Sequence, residues 1–189
     1  MDAHQASQHQ KKAHKRRAVV VFEDEVAFQQ EGTTRRSWAP RGVGFTVWHQ
    51  PCKRSAKYFG AISMEPRPRI LWQGAERFNS RTFETFLIQI VEHYGKVCLI
   101  LDNVAYHKAK RLKPTIRALR GRLWIYNLPK YSPELNAVEM VWRETRKDAT
   151  HNRYFATMKG LRRSVQSQFR EYNERPGKLA GCVAQFLRA

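Results

Sequence analysis

The sequence predicts an α/β domain whose sheet is of mixed direction and carries helices on both faces. Two observations predict this class: apolar runs typical of buried strands alternate with amphipathic helical segments, and short β-type segments between Val26 and Gln73 indicate an antiparallel meander. The chain has 189 residues, enough for one domain with a substantial core. With 42% hydrophobic and 12% aromatic residues, wholesale disorder is excluded.

The charge balance indicates a polyanionic partner. Thirty-five Lys and Arg residues against 16 Asp and Glu residues give a net charge of +19. No run approaches the roughly 18 apolar residues of a membrane span, and the basic N-terminus lacks the apolar stretch of a signal peptide. Three scattered cysteines form no disulfide or zinc pattern. We therefore expect a cytoplasmic protein with reduced thiols.

Three apolar runs predict strands, namely Ala18–Phe22, Val97–Leu101 and Leu123–Tyr126. Gly and Pro residues separate the meander segments, which are Gly44–Trp48, Lys57–Ile62 and Ile70–Gln73.

Cap signals and helical spacing predict the helices. Asn79-Ser80 begins a helix that Gly95 ends, and Ser132-Pro133 begins a second one that runs to about Lys147. A basic helical segment with Pro114 near its first turn and a last helix over Met158–Tyr172 complete the set. The predicted organisation is a basic tail or linker remnant (1–17), a catalytic domain (18–175) and a C-terminal tail (176–189).

Two acidic residues are candidate site residues because each follows an apolar run: Asp24 follows the first run and Asp102 the second. Ligand sites in open α/β sheets gather at the carboxyl ends of strands, so neighbouring strands would bring the two carboxylates together. The alternative is that each acid only ends its strand in a turn or cap. The contrast in charge favours a functional role, because residues 103–130 carry eight Lys or Arg and no acid.

Glu139 is the third candidate. It lies in the first turns of the helix predicted after Ser132-Pro133, and it shares a face with Leu135 and Trp142, so it needs a partner or a metal ion. Glu23 and Glu25 flank Asp24 and point to the opposite face if the strand continues, so we interpret them as structural.

Three segments in this order, FEDEVAF, LILDNVAYHKAK and LPKYSPELNAVEMVW, resemble the acidic motifs of DDE transposases of the mariner superfamily, specifically the bacterial insertion-sequence 630 family. The 36 residues between Asp102 and Glu139 suit that family, as does RRSWAPRG at 35–42. The likeness covers about residues 18–150. Ala137 departs from the pattern, which usually has Pro there.

The resemblance implies a ribonuclease-H-like fold in which Asp24, Asp102 and Glu139 are both the catalytic residues and the ligands of two Mg²⁺ or Mn²⁺ ions. The implied reaction is two-metal phosphodiester hydrolysis at element ends, followed by strand transfer into target DNA, by resemblance at a TA dinucleotide.

Supporting or substrate-contacting roles fall to Asn103, His107 and Asn136, although a surface histidine capping a loop is an equal alternative for His107. Expected DNA phosphate contacts are Lys108, Lys110, Arg111 and Lys113.

The implied partners are element ends and target DNA, an upstream helix-turn-helix polypeptide or domain, and further copies of the chain in the DNA complex. Family members normally carry paired helix-turn-helix domains before the catalytic core, whereas here a basic tail of 17 residues precedes the first strand. A bacterial, cytoplasmic, nucleoid-associated location follows. Two alternatives stay open: a nuclease or resolvase on the same fold, and a non-enzymatic or domesticated basic DNA-binding protein.

Overall fold

The computed structural model describes residues 11–36, 38, 40–42, 46–48, 51–129, 132 and 135–187. Five strands form one sheet. They are β1 (Val19–Gln29), β2 (Ser55–Ser63), β3 (Ile70–Ala75), β4 (Val97–Leu101) and β5 (Leu123–Asn127). The named helices are α1 (Ser80–Tyr94), α2 (Lys113–Ala118), α3 (Ala137–Ala149), α4 (Met158–Glu174), α5 (Pro176–Cys182) and α6 (Ala184–Leu187).

The sheet has the order β3-β2-β1-β4-β5 and is mixed, as predicted. The β1–β2 and β2–β3 pairs are antiparallel, whereas the β1–β4 and β4–β5 pairs are parallel. The predicted strand Gly44–Trp48 lies partly outside the described residues, and residues 46–48 within it are not in the sheet. The meander therefore consists of β1, β2 and β3.

Strand β1 is longer than its apolar run predicted, and the expectation that it ends at the acids is wrong. β2 pairs with it from Val21 to Gln29, so its backbone stays hydrogen-bonded well past Phe22. In contrast, the last residue pair between β1 and β4 is Phe22 with Ile100. The three acids at 23–25 therefore lie within β1, on the stretch where β4 has ended.

The predicted helix α1 is confirmed at both ends. The Asn79 side chain accepts hydrogen bonds from the backbone N–H groups of Arg81 and Thr82, and Gly95, with a φ of 78°, ends the helix. Helix α3 begins later than predicted, at Ala137. Its N-cap is Asn136, whose side chain accepts from the backbone N–H of Val138.

Apolar side chains pack on both faces of the sheet. Helices α3, α4 and α5 cover one face, where β1 contributes Val20, Phe22, Val26 and Phe28, and α1 covers the other. Residues before 18 and after 175 also contribute to the first face: residues 11–16 are helical with Ala13 buried, and Leu179 and Val183 are buried. None of the described helices has an apolar stretch long enough to cross a bilayer.

Candidate metal centre

The parallel register of β1 and β4 brings two of the predicted site residues together. Phe22 pairs with Ile100; Asp24 lies two residues further along β1, and Asp102 lies two residues further along the chain, just past the end of β4. One carboxylate oxygen from each of Asp24, Glu25 and Asp102 lies within 4.8 Å of the others. We refer to these three residues as the carboxylate cluster.

Asp24 is the buried member of the cluster, with 8% of its surface exposed. It points to the face covered by α3, where the indole Nε1 of Trp142 donates a hydrogen bond of 3.0 Å to Asp24 Oδ2. Burial raises the pKa of Asp24 to about 8, and the nearby charge of Glu139 adds to the effect. Without a cation, this carboxyl group retains its proton near neutral pH.

Asp102 is the exposed member, with 39% of its side chain accessible. Its Oδ1 accepts a hydrogen bond of 3.1 Å from the backbone N–H of Val104 and lies 3.3 Å from His107 Nδ1. Burial alone would raise the pKa of Asp102, but His107 and the Val104 N–H outweigh it and lower the pKa. Asp102 is therefore ionised near neutral pH.

Glu139 lies in the first turn of α3, close enough to Asp24 for its charge to raise the pKa of Asp24. Its carboxylate is not within 4.8 Å of both aspartates, so Glu25 takes the third place in the cluster. The structure thus groups Asp24 with Asp102 and places Glu139 beside Asp24. Glu139 is half-buried.

His107 links the cluster to the opposite face of the sheet. It is 7% exposed, which excludes a surface histidine capping a loop. Its Nε2 lies 3.1 Å from Glu25 Oε1, and the Tyr106 hydroxyl donates a hydrogen bond to the same oxygen. Burial alone would lower the pKa of His107, but Asp102 and Glu25 raise it to about 10. The imidazole is therefore protonated and bridges two carboxylates.

Glu23 is fully buried on the same face as His107. Neither of its carboxylate oxygens has a hydrogen-bond partner in the described part of the chain, and the nearest cation is His107 Nε2, 3.9 Å from Oε2. Burial and the charge of Glu25 raise the pKa of Glu23 well above its usual range. A protonated, neutral side chain suits this position.

The other predicted site residues make different contacts. The Asn103 side chain donates to the Leu128 carbonyl and accepts from Lys108 Nζ at 2.7 Å, and Asn136 caps the helix that carries Glu139. The basic residues predicted to contact phosphates are all exposed, and Arg111 forms an ion pair of 2.9 Å with Glu84. These basic residues are Lys108, Lys110, Arg111 and Lys113.

Two side chains contribute to the site although the sequence pattern does not indicate them. Strand alternation directs Glu25 away from Asp24 and predicts a structural role, but β4 ends before this point and a Glu25 oxygen comes within 4.8 Å of both aspartates. The pattern predicts Trp142 only as an apolar neighbour of Glu139. The signal available for Trp142 was its spacing, one helical turn after Glu139 on the inward stripe.

The donor set fits a hard divalent cation. The carboxylate cluster offers only oxygen ligands, as Mg²⁺ and Mn²⁺ prefer. Three carboxylates this close repel one another unless a proton or cation neutralises them, and this repulsion adds to the effect of burial and of Glu139 in raising the pKa of Asp24. The residues present therefore fit a metal centre.

Known structures place this fold in a class. It is similar to a chain of the Mos1 strand transfer complex, with a TM-score of 0.60 and 17% identity over 96% of this chain and 58% of that one. The Mos1 transposase catalytic domain solved with raltegravir and Mn gives 0.54 and 15% identity over 96% and 88%. The BIV integrase catalytic core gives 0.52 and 13% identity over 82% and 84%. The fold is that of ribonuclease-H-like transposase and integrase catalytic cores.

Sequence comparison identifies the family. Residues 19–162 match the model of the DDE superfamily endonuclease domain, and the chain belongs to that family. It is also 24% identical over 161 residues to the insertion element IS630 uncharacterized 39 kDa protein of Shigella sonnei. The match covers 84% of this chain and 46% of that relative, so the chain spans about half of the relative's length.

Proposed function

We propose that this chain is the catalytic domain of a DNA transposase, which hydrolyses phosphodiester bonds at element ends and transfers the freed strand into target DNA. The proposed metal ligands and catalytic residues are Asp24, Asp102 and Glu139. One observation carries the proposal: two strands place Asp24 and Asp102 side by side in a chain of net charge +19. Clustered carboxylates in a chain of this positive charge favour a metal-dependent reaction over DNA binding alone.

The protein groups divide the work of the site. Asp102 is ionised in the metal-free protein and is accessible, so it offers the first ligand to an arriving cation. Asp24 must lose its proton when the cation binds, and the Trp142 N–H accommodates the resulting anion. Glu139 approaches from α3 and supplies the third carboxylate. Two divalent cations held by these carboxylates would supply the charge that activates the attacking hydroxyl or water and stabilises the leaving oxygen.

Exposed cations near the site support a DNA substrate. Lys108 lies six residues after Asp102, and Lys110 and Lys113 follow it on the surface. We propose that these residues, with Arg111, contact DNA phosphates, which would position the duplex without reading its sequence. Sequence recognition would then come from a helix-turn-helix polypeptide or domain, and assembly on DNA would involve further copies of this chain in the bacterial cytoplasm.

The experiment is a strand-transfer and nicking assay on supercoiled plasmid with Mn²⁺ or Mg²⁺, using a labelled duplex with a free 3′ hydroxyl as donor. We expect metal-dependent nicking and joining by the unmodified chain, and a loss of at least about a hundredfold in Asp102→Asn, which corresponds to some 2.7 kcal/mol in the barrier. DNA binding by the variant should be unchanged or tighter, because a negative charge near phosphate is removed.

Asp148→Asn is the matched control. Asp148 forms an ion pair of 2.9 Å with Lys178 near the C-terminal end of α3, and its loss should leave nicking unchanged. An Asp102→Asn chain that nicks at the original rate would assign catalysis to another acid. An unmodified chain that binds DNA but never nicks it would favour the non-enzymatic alternative. Nicking without strand joining would favour a nuclease or resolvase.

A further inference from the structure

The indole of Trp142 is the one side-chain donor that the structure shows for Asp24 among the described residues. Trp142 is 1% exposed and lies on α3, one turn after Glu139. An indole N–H only donates, so Asp24 Oδ2 must be the acceptor in this hydrogen bond. The contact therefore fixes one carboxylate oxygen of Asp24 and leaves Oδ1 for other ligands.

Neighbouring residues hold the indole in place. The rings of Phe28 and Phe169 lie 6.4 Å and 5.8 Å from it, centroid to centroid, and Phe28 meets it edge to face. Gly60 is the residue of β2 opposite Asp24. A Cβ atom at Gly60 would lie 2.2 Å from Trp142 Cη2 and 2.6 Å from Cζ2. The indole can lie against the sheet only because position 60 has no side chain.

The same contact fixes the position of α3 over β1. Glu139 lies three residues before Trp142 on the same side of this helix, so the position of the indole also sets how far the Glu139 carboxylate lies from Asp24. The packing of Trp142 against Gly60 and its hydrogen bond to Asp24 therefore connect Asp24 with Glu139, two acids that are 115 residues apart in the chain.

We infer that Trp142 is a positioning residue, which orients Asp24 and seats Glu139 for divalent metal binding, with Gly60 providing the space for its ring. This inference rests on the proposed function, because it requires Asp24 to be a metal ligand. Groups that orient metal ligands typically change metal affinity by tenfold to a hundredfold when they are removed. A tryptophan that served only the core would change stability and leave metal affinity as it was.

The test is Mn²⁺ binding to the whole chain, measured by calorimetry and by Mn²⁺ paramagnetic resonance, without DNA. Trp142→Phe keeps an aromatic ring but removes the N–H, and we expect Mn²⁺ affinity to fall by at least about tenfold. Trp72→Phe is the matched control. Trp72 pairs with Gly60 from the other side and also packs on Phe169, at 5.4 Å, but it donates to neither aspartate in the structure. Its Mn²⁺ affinity should stay within about twofold of the original.

A second readout separates positioning from folding. In the nicking assay, Trp142→Phe should lower kcat with KM for DNA unchanged, because the phosphate-binding surface is untouched. If Trp142→Phe does not fold, Gly60→Ala takes its place, since its Cβ forces the indole off Asp24. Gly60→Ala should likewise weaken Mn²⁺ binding.

Two outcomes distinguish a failure of the positioning role of Trp142 from a failure of the proposed function. If a folded Trp142→Phe or Gly60→Ala chain binds Mn²⁺ within twofold of the original while Asp24→Asn does not bind it, the positioning role is wrong and the proposed function stands. If Asp24→Asn binds Mn²⁺ as the original does, Asp24 is not a ligand and the proposed function fails with it.

Discussion

The two aspartates of the carboxylate cluster occupy neighbouring positions in opposite environments. Asp24 lies within β1, 8% exposed beneath Trp142, and its pKa is raised to about 8. Asp102 lies just past the end of β4, with 39% of its side chain exposed, and its pKa is lowered by His107 and Val104. In the metal-free protein, one of the two proposed ligands is therefore already an anion, and the other becomes one when a cation binds.

The largest expected effect on stability comes from Asp24, the buried aspartate. Folding raises the pKa of Asp24 from 3.8 to about 8, so the folded chain holds a proton that the unfolded chain has released. Stability of the metal-free protein should therefore fall as pH rises from about 4 to about 8, and level off above that. Asp24→Asn removes this penalty and should raise the free energy of unfolding at pH 8 by at least about 2 kcal/mol.

Urea unfolding in EDTA across this pH range measures the effect. Asp148→Asn, which changes a carboxylate outside the cluster, should keep the original slope. A metal-free chain whose stability shows no Asp24-dependent slope would mean that Asp24 is ionised when folded, and the contrast between the two aspartates would disappear.

Asp102, the exposed aspartate, should have a smaller effect of opposite sign on stability. The pKa of Asp102 is lower in the folded chain, so its contribution to stability is present above its unfolded pKa and is lost as pH falls through the folded one. Asp102→Asn should therefore destabilise the metal-free protein at pH 7. Because the side chain is partly exposed, water screens the charge of His107 and we expect less than about 1 kcal/mol. The same urea titration would contradict this if Asp102→Asn were more stable than the original chain.

The smallest expected effect is on DNA binding, and it comes from lysines outside the carboxylate cluster. The structure shows no ion pair for Lys110 or Lys113 in the described part of the chain, so both are available to phosphates. Replacing both with Gln should weaken DNA binding at low salt and reduce the slope of log K against log salt by about 2. Lys147→Gln with Arg175→Gln removes the same charge from residues already paired with Glu144 and Glu171, and should change the slope less. Equal changes would mean that binding depends on net charge alone.

Local patterns were sufficient for much of the fold. The apolar run of β4 and the caps of α1 are predicted correctly by neighbouring residues, since these signals act over one strand or one helical turn. The prediction that Ser132-Pro133 begins α3 is wrong, because Asn136 caps the helix; Pro133 itself lies outside the described residues. Both Ser-Pro and Asn are helix-start signals, and sequence alone gave no reason to prefer the later one.

The sequence predicts that Asp24 and Asp102 lie close together, but it does not predict the environment of either carboxylate. The apolar run before Asp102 predicts its position at the end of β4, but the length of β1 depends on pairing with residues of β2 that lie 26 to 42 positions away in the chain. The contact between Trp142 and Asp24 spans 118 positions, and it depends on the absence of a side chain at Gly60. Such contacts follow from the tertiary arrangement and have no local signature.

The most direct test of the metal-ligand assignment is an anomalous difference map from crystals of the chain soaked in Mn²⁺. We expect density for Mn²⁺ between Asp24 and Asp102, with Glu139 drawn in as a further ligand and Trp142 still bonded to Asp24 Oδ2. Density held instead by Glu23, Glu25 and His107, which also bring ligand atoms within 4.8 Å of one another, would contradict the assignment. So would the absence of any Mn²⁺ at the aspartates at saturating concentration.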